Sequence, residues 1–139
     1  MTTPTIAEII NRVSTIKSKE DKINWLKSNS SKTLKDVLIL TYDSSKKFLL
    51  PTDVEPPYNP SNAVENHGSL YTESRKFKYF VEGFSSPTIK QLKRESMFIE
   101  MLENVHASDA KILIQMIQKK PFKGITRTLV NEIYGLELS

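Results

Sequence analysis

The segment between residues 118 and 128 carries the residue types and the spacing that could bind phosphate groups. Four basic side chains fall within nine residues, and a glycine and a threonine lie among them. Glycine lets a backbone come close to another molecule, and the free amides at the start of a following helix attract anions. An arginine can add a bidentate contact to a phosphate. The residues expected to form this site are Lys119, Lys120, Lys123, Gly124, Thr126 and Arg127.

This segment predicts contact with the backbone of a nucleic acid rather than with its bases. Lysines attract phosphates without reading the sequence. Phe122 is the one aromatic residue placed to stack on a base, so duplex DNA is favoured over a single strand. The alternative is an ordinary helix connector with Gly124 as a cap and the lysines in water. Secondary basic contacts are expected from Lys46, Lys47, Lys90, Lys93 and Arg94.

The sequence lacks the residue combinations that catalysis requires. It has no cysteine, which excludes thiolate catalysis, disulfide frameworks and cysteine-ligated zinc. The two histidines, His67 and His106, lack metal-binding spacing, and His106 is expected to cap a helix or to face solvent. No glycine-rich phosphate loop occurs, and no serine has a base and an acid in a recognisable pattern. The prediction is a binding protein with no enzymatic activity, no cofactor and no metal site.

The positive charge of the chain is concentrated in two regions. The net charge is +4, from 20 lysines and arginines against 16 acids. Residues 1–50 and 86–127 are both basic, and residues 51–85 between them are acidic. If the two basic regions fold onto one face, the local field favours a partner that carries phosphates. The alternative is lysine scattered over solvated helix faces.

Helix signals dominate the chain, and no alternating strand pattern of useful length occurs. Apolar residues repeat at spacings of three and four, which is typical of amphipathic helices. We therefore predict an all-α protein of six or seven short helices in one compact bundle. It forms a single domain over residues 1–139, with a proline-rich loop near residues 51–68. Capping patterns place the first three helix starts at Thr5, Ser18 and Thr33.

The remaining helices are predicted from apolar stripes and from residues that favour a helix start. A fourth helix is expected over about 70–84, and a fifth is expected from residues 86–87 with Leu92 on its apolar side. Residues 108–109 favour the start of a sixth helix, and Thr126 can cap the last one. No apolar run is long enough to span a bilayer, and no signal peptide is recognised. Together with the missing cysteines, this predicts a location in the cytoplasm, a reducing compartment.

In the order and character of its helices, the chain resembles the N-terminal helical DNA-binding domain of ATP-dependent DNA ligases, most nearly that of T-even phages. The similarity rests on residues 6–10, 22–26 and 34–42, and on the helix, basic glycine turn and helix of 110–133. In that family the turn and the following helix start grip phosphates across the minor groove. The Lys-x-Asp-Gly motif of the ligase nucleotide site does not occur here. The resemblance implies a stand-alone, phage-encoded DNA-binding protein that is accessory to DNA transactions and has no ligase activity.

Two other functions stay open at this stage. The chain could be a protein–protein adaptor that docks on replication or transcription machinery of a phage or its host. Residues 133–139 mix apolar and acidic side chains, as do short tails that enter partner grooves. The other interpretation, which such an ending more often has, is a helix C-terminus with Gly135 as its cap. A small virion component is the third possibility.

Overall fold

The computed structural model describes residues 5–51, 58, 70–82 and 89–138, and α-helix dominates this part of the chain. A 3₁₀ helix, Ser74–Phe80, directly follows the fourth of seven α-helices, and the described residues contain no β-strand. The predicted all-α class with six or seven helices is thus confirmed. The α-helices are α1 (Ile6–Val13), α2 (Lys19–Ser28), α3 (Lys32–Tyr42), α4 (Leu70–Glu73), α5 (Gln91–Asn104), α6 (Ala107–Ile117) and α7 (Arg127–Tyr134).

Three of the predicted helix caps are confirmed, because each depends on residues close together in the chain. The side chains of Thr5, Ser18 and Thr126 accept hydrogen bonds from backbone amides in the first turns of α1, α2 and α7. Gly135 ends α7 in the left-handed conformation, as predicted, with φ of 64°. His106 caps α6 by accepting from the Ser108 amide, which fits the capping role expected for it.

The predicted cap of α3 is wrong by two residues. Ser31, not Thr33, accepts the hydrogen bond from the Leu34 amide at 3.1 Å. Thr33 lies inside the first turn and is buried, and its hydroxyl is 2.8 Å from the Ser74 hydroxyl. Its contact with the 3₁₀ helix therefore takes the place of a capping role.

The predicted fourth helix is much shorter than expected. It is α-helical only to Glu73, continues as the 3₁₀ helix, and ends where Val81 forms an isolated antiparallel bridge with Phe48. The Leu49 amide donates to the Phe80 carbonyl at 2.7 Å, so pairing with a distant segment ends the helix. The predicted start of the fifth helix at 86–87 and most of the proline-rich loop lie outside the described residues. Leu92, predicted to be buried, is 80% exposed near the start of α5.

Helix α6 lies at the centre of the described part. It packs against α1, α3 and α5, and its apolar side chains Ile112, Leu113 and Met116 are buried. The buried Asp109 carboxylate accepts a hydrogen bond from the Ala7 amide at 2.8 Å, which ties the start of α6 to the start of α1. Helix α7 packs against α2 and α3, so the turn between α6 and α7 lies over the first three helices.

Candidate nucleic-acid interface

Helix α6 ends in a backbone conformation that glycine usually provides. Lys119 has φ of 58°, in the left-handed region. Its amide donates to the Met116 carbonyl, and the Lys120 amide donates to the Gln115 carbonyl, each at 3.1 Å. This pair of bonds is the Schellman arrangement, in which the left-handed residue is most often glycine. A side chain in this conformation costs about 1–2 kcal/mol, so Lys119 adopts it against a local energetic penalty.

The Lys119 side chain is directed at the end of α3. Its ammonium donates to the carbonyls of Leu40 and Asp43, the latter at 2.9 Å, and lies 5.3 Å from the centre of the Phe48 ring. These carbonyls belong to the last turn of α3 and to its cap, and they have no partner within the helix. Burial lowers the pKa of Lys119 to about 8, against the opposing effect of the Asp43 carboxylate. Lys119, predicted as a free phosphate contact, thus has two of its three ammonium hydrogens bound within the protein.

Tyr42 holds the middle of the turn in place. Its hydroxyl accepts from the Phe122 amide and donates to the Ile125 carbonyl, both at 2.8 Å. Burial raises the pKa of this hydroxyl to about 12, so the phenol stays protonated at neutral pH. The Phe122 ring is 3% exposed and packs edge-on against the Tyr42 ring at 6.3 Å. Phe122 is therefore a core residue and not the base-stacking residue that its position suggested.

Gly124 allows the turn to lie directly on the end of α1. Its φ of 85° is unfavourable for other residues, and an added Cβ would lie 3.0 Å from the Ser14 Cα and 3.1 Å from the Val13 carbonyl oxygen. The Gly124 carbonyl accepts a hydrogen bond from the Lys22 ammonium at 3.0 Å. The predicted close approach of backbone at this glycine is thus an approach to the protein's own helices.

Arg127 is the first residue of α7 and is fixed by one of its nitrogens. Its Nε donates to the Tyr42 carbonyl at 2.9 Å, while the residue as a whole stays exposed. Within the described residues, the two terminal nitrogens of the guanidinium make no hydrogen bond. The Thr126 hydroxyl accepts from the Leu129 amide at 3.1 Å, and the amides of Arg127 and Thr128 remain at the open start of the helix.

Two basic pockets lie on either side of the start of α7. The first, which we term the α3 pocket, has a volume of about 360 Å³ and is lined by Thr41, Tyr42, Ser44, Lys46, Lys47, Phe48, Ile117, Lys119 and Arg127. The second, the α2 pocket, has a volume of about 220 Å³ and is lined by Lys17, Lys19, Lys22, Gly124, Thr126, Thr128 and Leu129. Seven cationic side chains in total therefore surround one helix start.

Ion pairs among the described residues neutralise only part of the positive charge of this surface. Lys19 pairs with Glu132 at 2.5 Å, and Lys46 lies 3.9 Å from the Asp43 carboxylate. No ion pair among the described residues includes Lys17, Lys47, Lys120 or Lys123. The last two are exposed residues of the turn itself. A surface with unneutralised lysines around an open helix start attracts polyanions.

The secondary contacts predicted from sequence separate into three groups. Lys46 and Lys47 line the α3 pocket beside Lys119, where the predicted basic contacts can be made. Lys90 and Lys93 are exposed at the start of α5 and line neither pocket. The prediction of a basic contact at Arg94 is wrong, because this residue is buried, with only 8% of its surface exposed.

The Arg94 guanidinium is bound inside the protein and is not placed for a DNA contact. It donates to the Tyr79 carbonyl at 3.0 Å and to the Gln91 side-chain oxygen at 2.5 Å. A third bond reaches the Ile89 carbonyl at 3.3 Å. Arg94 thus joins the start of α5 to the 3₁₀ helix, which is a structural role.

Sequence reasoning missed the basic residues of the α2 pocket. Lys17, Lys19 and Lys22 are about a hundred positions away from the turn, yet they lie beside Gly124 and Thr126. The sequence feature that could have indicated this pocket is the presence of three lysines within six residues around the start of α2. That signal alone does not say which helix start the lysines face.

Three further features of the described residues complete the description. In residues 5–51, 70–82 and 89–138, no group of three acidic or histidine side chains is arranged to hold a metal ion. Each described helix is too short or too polar to cross a lipid bilayer. The C-terminal residues fold back on α7, where the Leu136 and Leu138 amides donate to the backbone and side-chain oxygens of Asn131.

Comparison with known proteins finds one family. The model of a family of unknown function (DUF6433) matches residues 9–122, which is most of the chain. The matched region contains α3 and the α3 pocket up to Lys119, but it ends before Gly124 and Arg127. No curated protein and no solved structure matches the chain.

Proposed function

The chain belongs to DUF6433, a family of unknown function, and we propose its function from the candidate interface. The protein binds duplex DNA through the phosphate backbone and catalyses no reaction. The observation that carries this proposal is the pair of basic pockets on either side of the start of α7. Both are open to solvent, and the α6–α7 turn between them adds two exposed lysines, Lys120 and Lys123.

The arrangement suits phosphates better than bases. The exposed cations can neutralise several phosphates at once. This electrostatic contribution to the binding free energy dominates sequence-independent binding. Base readout requires side chains that reach into a groove, or aromatic rings that bases can stack on. The Phe122 ring is buried, so it contributes no stacking surface at the turn.

The residues of the interface divide into those that contact DNA and those that shape the surface. Lys17, Lys47, Lys120 and Lys123 supply charge that no ion pair in the described part consumes. Arg127 supplies the two terminal nitrogens of its guanidinium. Tyr42, Lys119 and Gly124 position the turn through contacts within the protein, and Lys119 also lines the α3 pocket.

The biological setting is part of the same proposal. The resemblance to the N-terminal domain of T-even-type ligases supports a phage-encoded protein that is accessory to DNA transactions in the host cytoplasm. This support rests on residues 6–10, 22–26, 34–42 and 110–133 alone. The adaptor hypothesis has less support from the fold, because the amides of its proposed tail are already bonded to Asn131.

Fluorescence anisotropy with labelled intact duplex, nicked duplex and single-stranded DNA at two salt concentrations tests the proposal. We expect duplex binding that falls steeply with salt, because each neutralised phosphate releases counterions. The triple variant Lys47→Ala, Lys120→Ala, Lys123→Ala removes three exposed charges from the interface. It is expected to weaken duplex binding at least tenfold and to lower the salt slope by about one for each lysine that neutralises a phosphate.

A matched control separates a defined site from bulk charge. The triple variant Lys27→Ala, Lys32→Ala, Lys111→Ala removes the same charge from exposed positions that line neither pocket. Lys32 lies at the opposite end of α3 from Tyr42. Equal weakening by the two triple variants overturns the site, and the absence of duplex binding at low salt overturns the function.

A further inference from the structure

The α3 pocket concentrates more positive charge than one backbone phosphate requires. Four cationic side chains line it, namely those of Lys46, Lys47, Lys119 and Arg127. Among the described residues, one carboxylate offsets part of this charge, since Asp43 lies 3.9 Å from the Lys46 ammonium. A phosphodiester in a nucleic-acid strand carries a single negative charge, whereas a phosphate monoester carries about 1.5 to 2 at neutral pH. The charge of the pocket is therefore better matched to a monoester.

The shape of the pocket points the same way. It is a concave space of about 360 Å³, within the range of roughly 300–1,000 Å³ that small-ligand sites occupy. Phosphates inside a duplex strand are flanked on both sides by further nucleotides, so they contact the open rim of this space and do not fill it. A phosphate at a strand end, or on a free nucleotide, has no such neighbour. Phe48 and Ile117 add apolar wall against which a sugar can pack.

The donors of the pocket are fixed before any ligand arrives. Arg127 is held through Nε by the Tyr42 carbonyl, which leaves the terminal nitrogens for an oxyanion. Lys119 is held through two carbonyls, at Leu40 and Asp43, which leaves its third ammonium hydrogen. Groups that are already positioned lose little conformational freedom on binding, so more of the contact energy becomes affinity.

The backbone at Lys119 supplies independent support. A non-glycine residue with φ of 58° costs energy that a glycine at the same position would avoid. Strained residues persist where the surrounding structure fixes them, and they cluster at ligand-binding sites. Here the strain places an ammonium at the wall of a basic pocket.

We propose that the α3 pocket binds the phosphate monoester of a nucleotide, either at the 5′ end of a DNA strand or on a free nucleotide. This inference rests on the proposed function for its DNA-bound form, in which the pocket holds a strand end while the turn contacts the duplex. Lys47, Lys119 and Arg127 contact the phosphate, and Phe48 packs against the sugar.

The pocket predicts a characteristic dependence of affinity on pH. The monoester gains its second charge as the pH rises through about 6, which strengthens binding. Burial lowers the pKa of Lys119 to about 8, so an empty pocket loses one positive charge as the pH rises further. The charged groups that act on Lys119 are Asp43, which favours its protonated form, and Lys46, which disfavours it. Affinity for the monoester is therefore highest between these two values.

Two binding experiments test the inference with defined probes. Anisotropy compares a duplex with 5′-phosphate ends and the same duplex with 5′-hydroxyl ends, and calorimetry compares deoxyadenosine 5′-monophosphate with deoxyadenosine. We expect at least a tenfold preference for the phosphorylated probe in one or both experiments. The preference is lost in Lys47→Ala and in Arg127→Lys, which keeps the charge but removes the guanidinium nitrogens. It is retained in Lys111→Ala, an exposed residue outside both pockets.

The outcomes distinguish this inference from the proposed function. Equal binding of the two duplexes together with no nucleotide binding overturns the inference and leaves duplex binding intact. Nucleotide binding without duplex binding supports the pocket and overturns the proposed function. A phosphate preference that survives both pocket variants overturns the assignment to these residues, provided that circular dichroism shows the variants folded.

Discussion

The hydroxyl of Tyr42, at the end of α3, accepts a hydrogen bond of 2.8 Å from the backbone amide of Phe122. The same hydroxyl donates to the Ile125 carbonyl at 2.8 Å, so one side chain fixes both sides of the α6–α7 turn. The carbonyl of Tyr42 also accepts from Arg127 at the start of α7. The end of α3 thus positions the turn and the start of α7, and the two basic pockets depend on it.

We predict that Tyr42→Phe destabilises the protein by about 1–3 kcal/mol, because it leaves the buried Phe122 amide and the Ile125 carbonyl without their partner. Urea denaturation followed by circular dichroism measures the loss. Tyr79→Phe is the matched control, since the hydroxyl of this half-buried tyrosine makes no hydrogen bond in the described part. Equal free energies of unfolding for the two variants would contradict the assigned role of Tyr42.

Two substitutions at Lys119 separate the energetic cost of its backbone conformation from the loss of its side-chain hydrogen bonds. Lys119→Ala and Lys119→Gly both remove the hydrogen bonds to the Leu40 and Asp43 carbonyls, so both are expected to be less stable than the natural protein. Glycine also relieves the left-handed conformation, whose φ is 58°. The glycine variant is therefore expected to be more stable than the alanine variant by about 1 kcal/mol. Thermal or urea unfolding of the pair measures this difference, and an alanine variant at least as stable as the glycine variant would argue against strain.

The helices were largely predictable from sequence because their signals are local. The repeat of Ile6, Ile9, Ile10 and Val13 places one buried stripe on α1, and Thr5 lies within one helical turn of the amide that it caps. The end of the fourth helix was not predictable in this way. It depends on pairing between Val81 and Phe48, which are more than thirty residues apart.

The candidate site was predictable in its location but not in the roles of its residues. Lys119, Lys123 and Arg94 look alike in a sequence, since each is a cation near a helix end. Only packing decides that Lys119 bonds to the end of α3, that Lys123 stays exposed and that Arg94 is buried. The α2 pocket depends in the same way on the packing of α2 against α7, which no local sequence pattern predicts.

Gly124 and Gly135 are a matched pair of left-handed glycines with different surroundings. An added Cβ at Gly135 meets no atom within 4 Å, whereas one at Gly124 meets the backbone of Ser14 and Val13 at 3.0–3.1 Å. Gly135→Ala is expected to cost about 1–2 kcal/mol for the conformation alone. Gly124→Ala carries a similar cost and about 1–3 kcal/mol more from overpacking against backbone. Urea denaturation of the two variants gives the difference, and equal costs would contradict the tight contact between the turn and α1.

The buried carboxylate of Asp109 is expected to make stability depend on pH in an unusual direction. Burial raises its pKa above 3.8, and the Glu8 charge adds to this, while the Ala7 amide and His106 oppose it. Between 3.8 and the raised value, the folded protein binds more protons at this site than the unfolded chain does. The contribution of Asp109 to stability is therefore fully present below pH 3.8 and is lost as the pH rises through the raised value.

The variant Asp109→Asn isolates this contribution, because asparagine keeps an oxygen that can accept from the Ala7 amide and has no charge to bury. We predict that the stability of the natural protein, relative to this variant, decreases as the pH is raised from about 3.5 to 7. Urea denaturation of both proteins at several pH values measures the trend. Glu20→Gln, in the exposed first turn of α2, is the control for the loss of a surface carboxylate. A stability difference that stays constant or increases with pH would show that the raised pKa of Asp109 is not expressed in the folded protein.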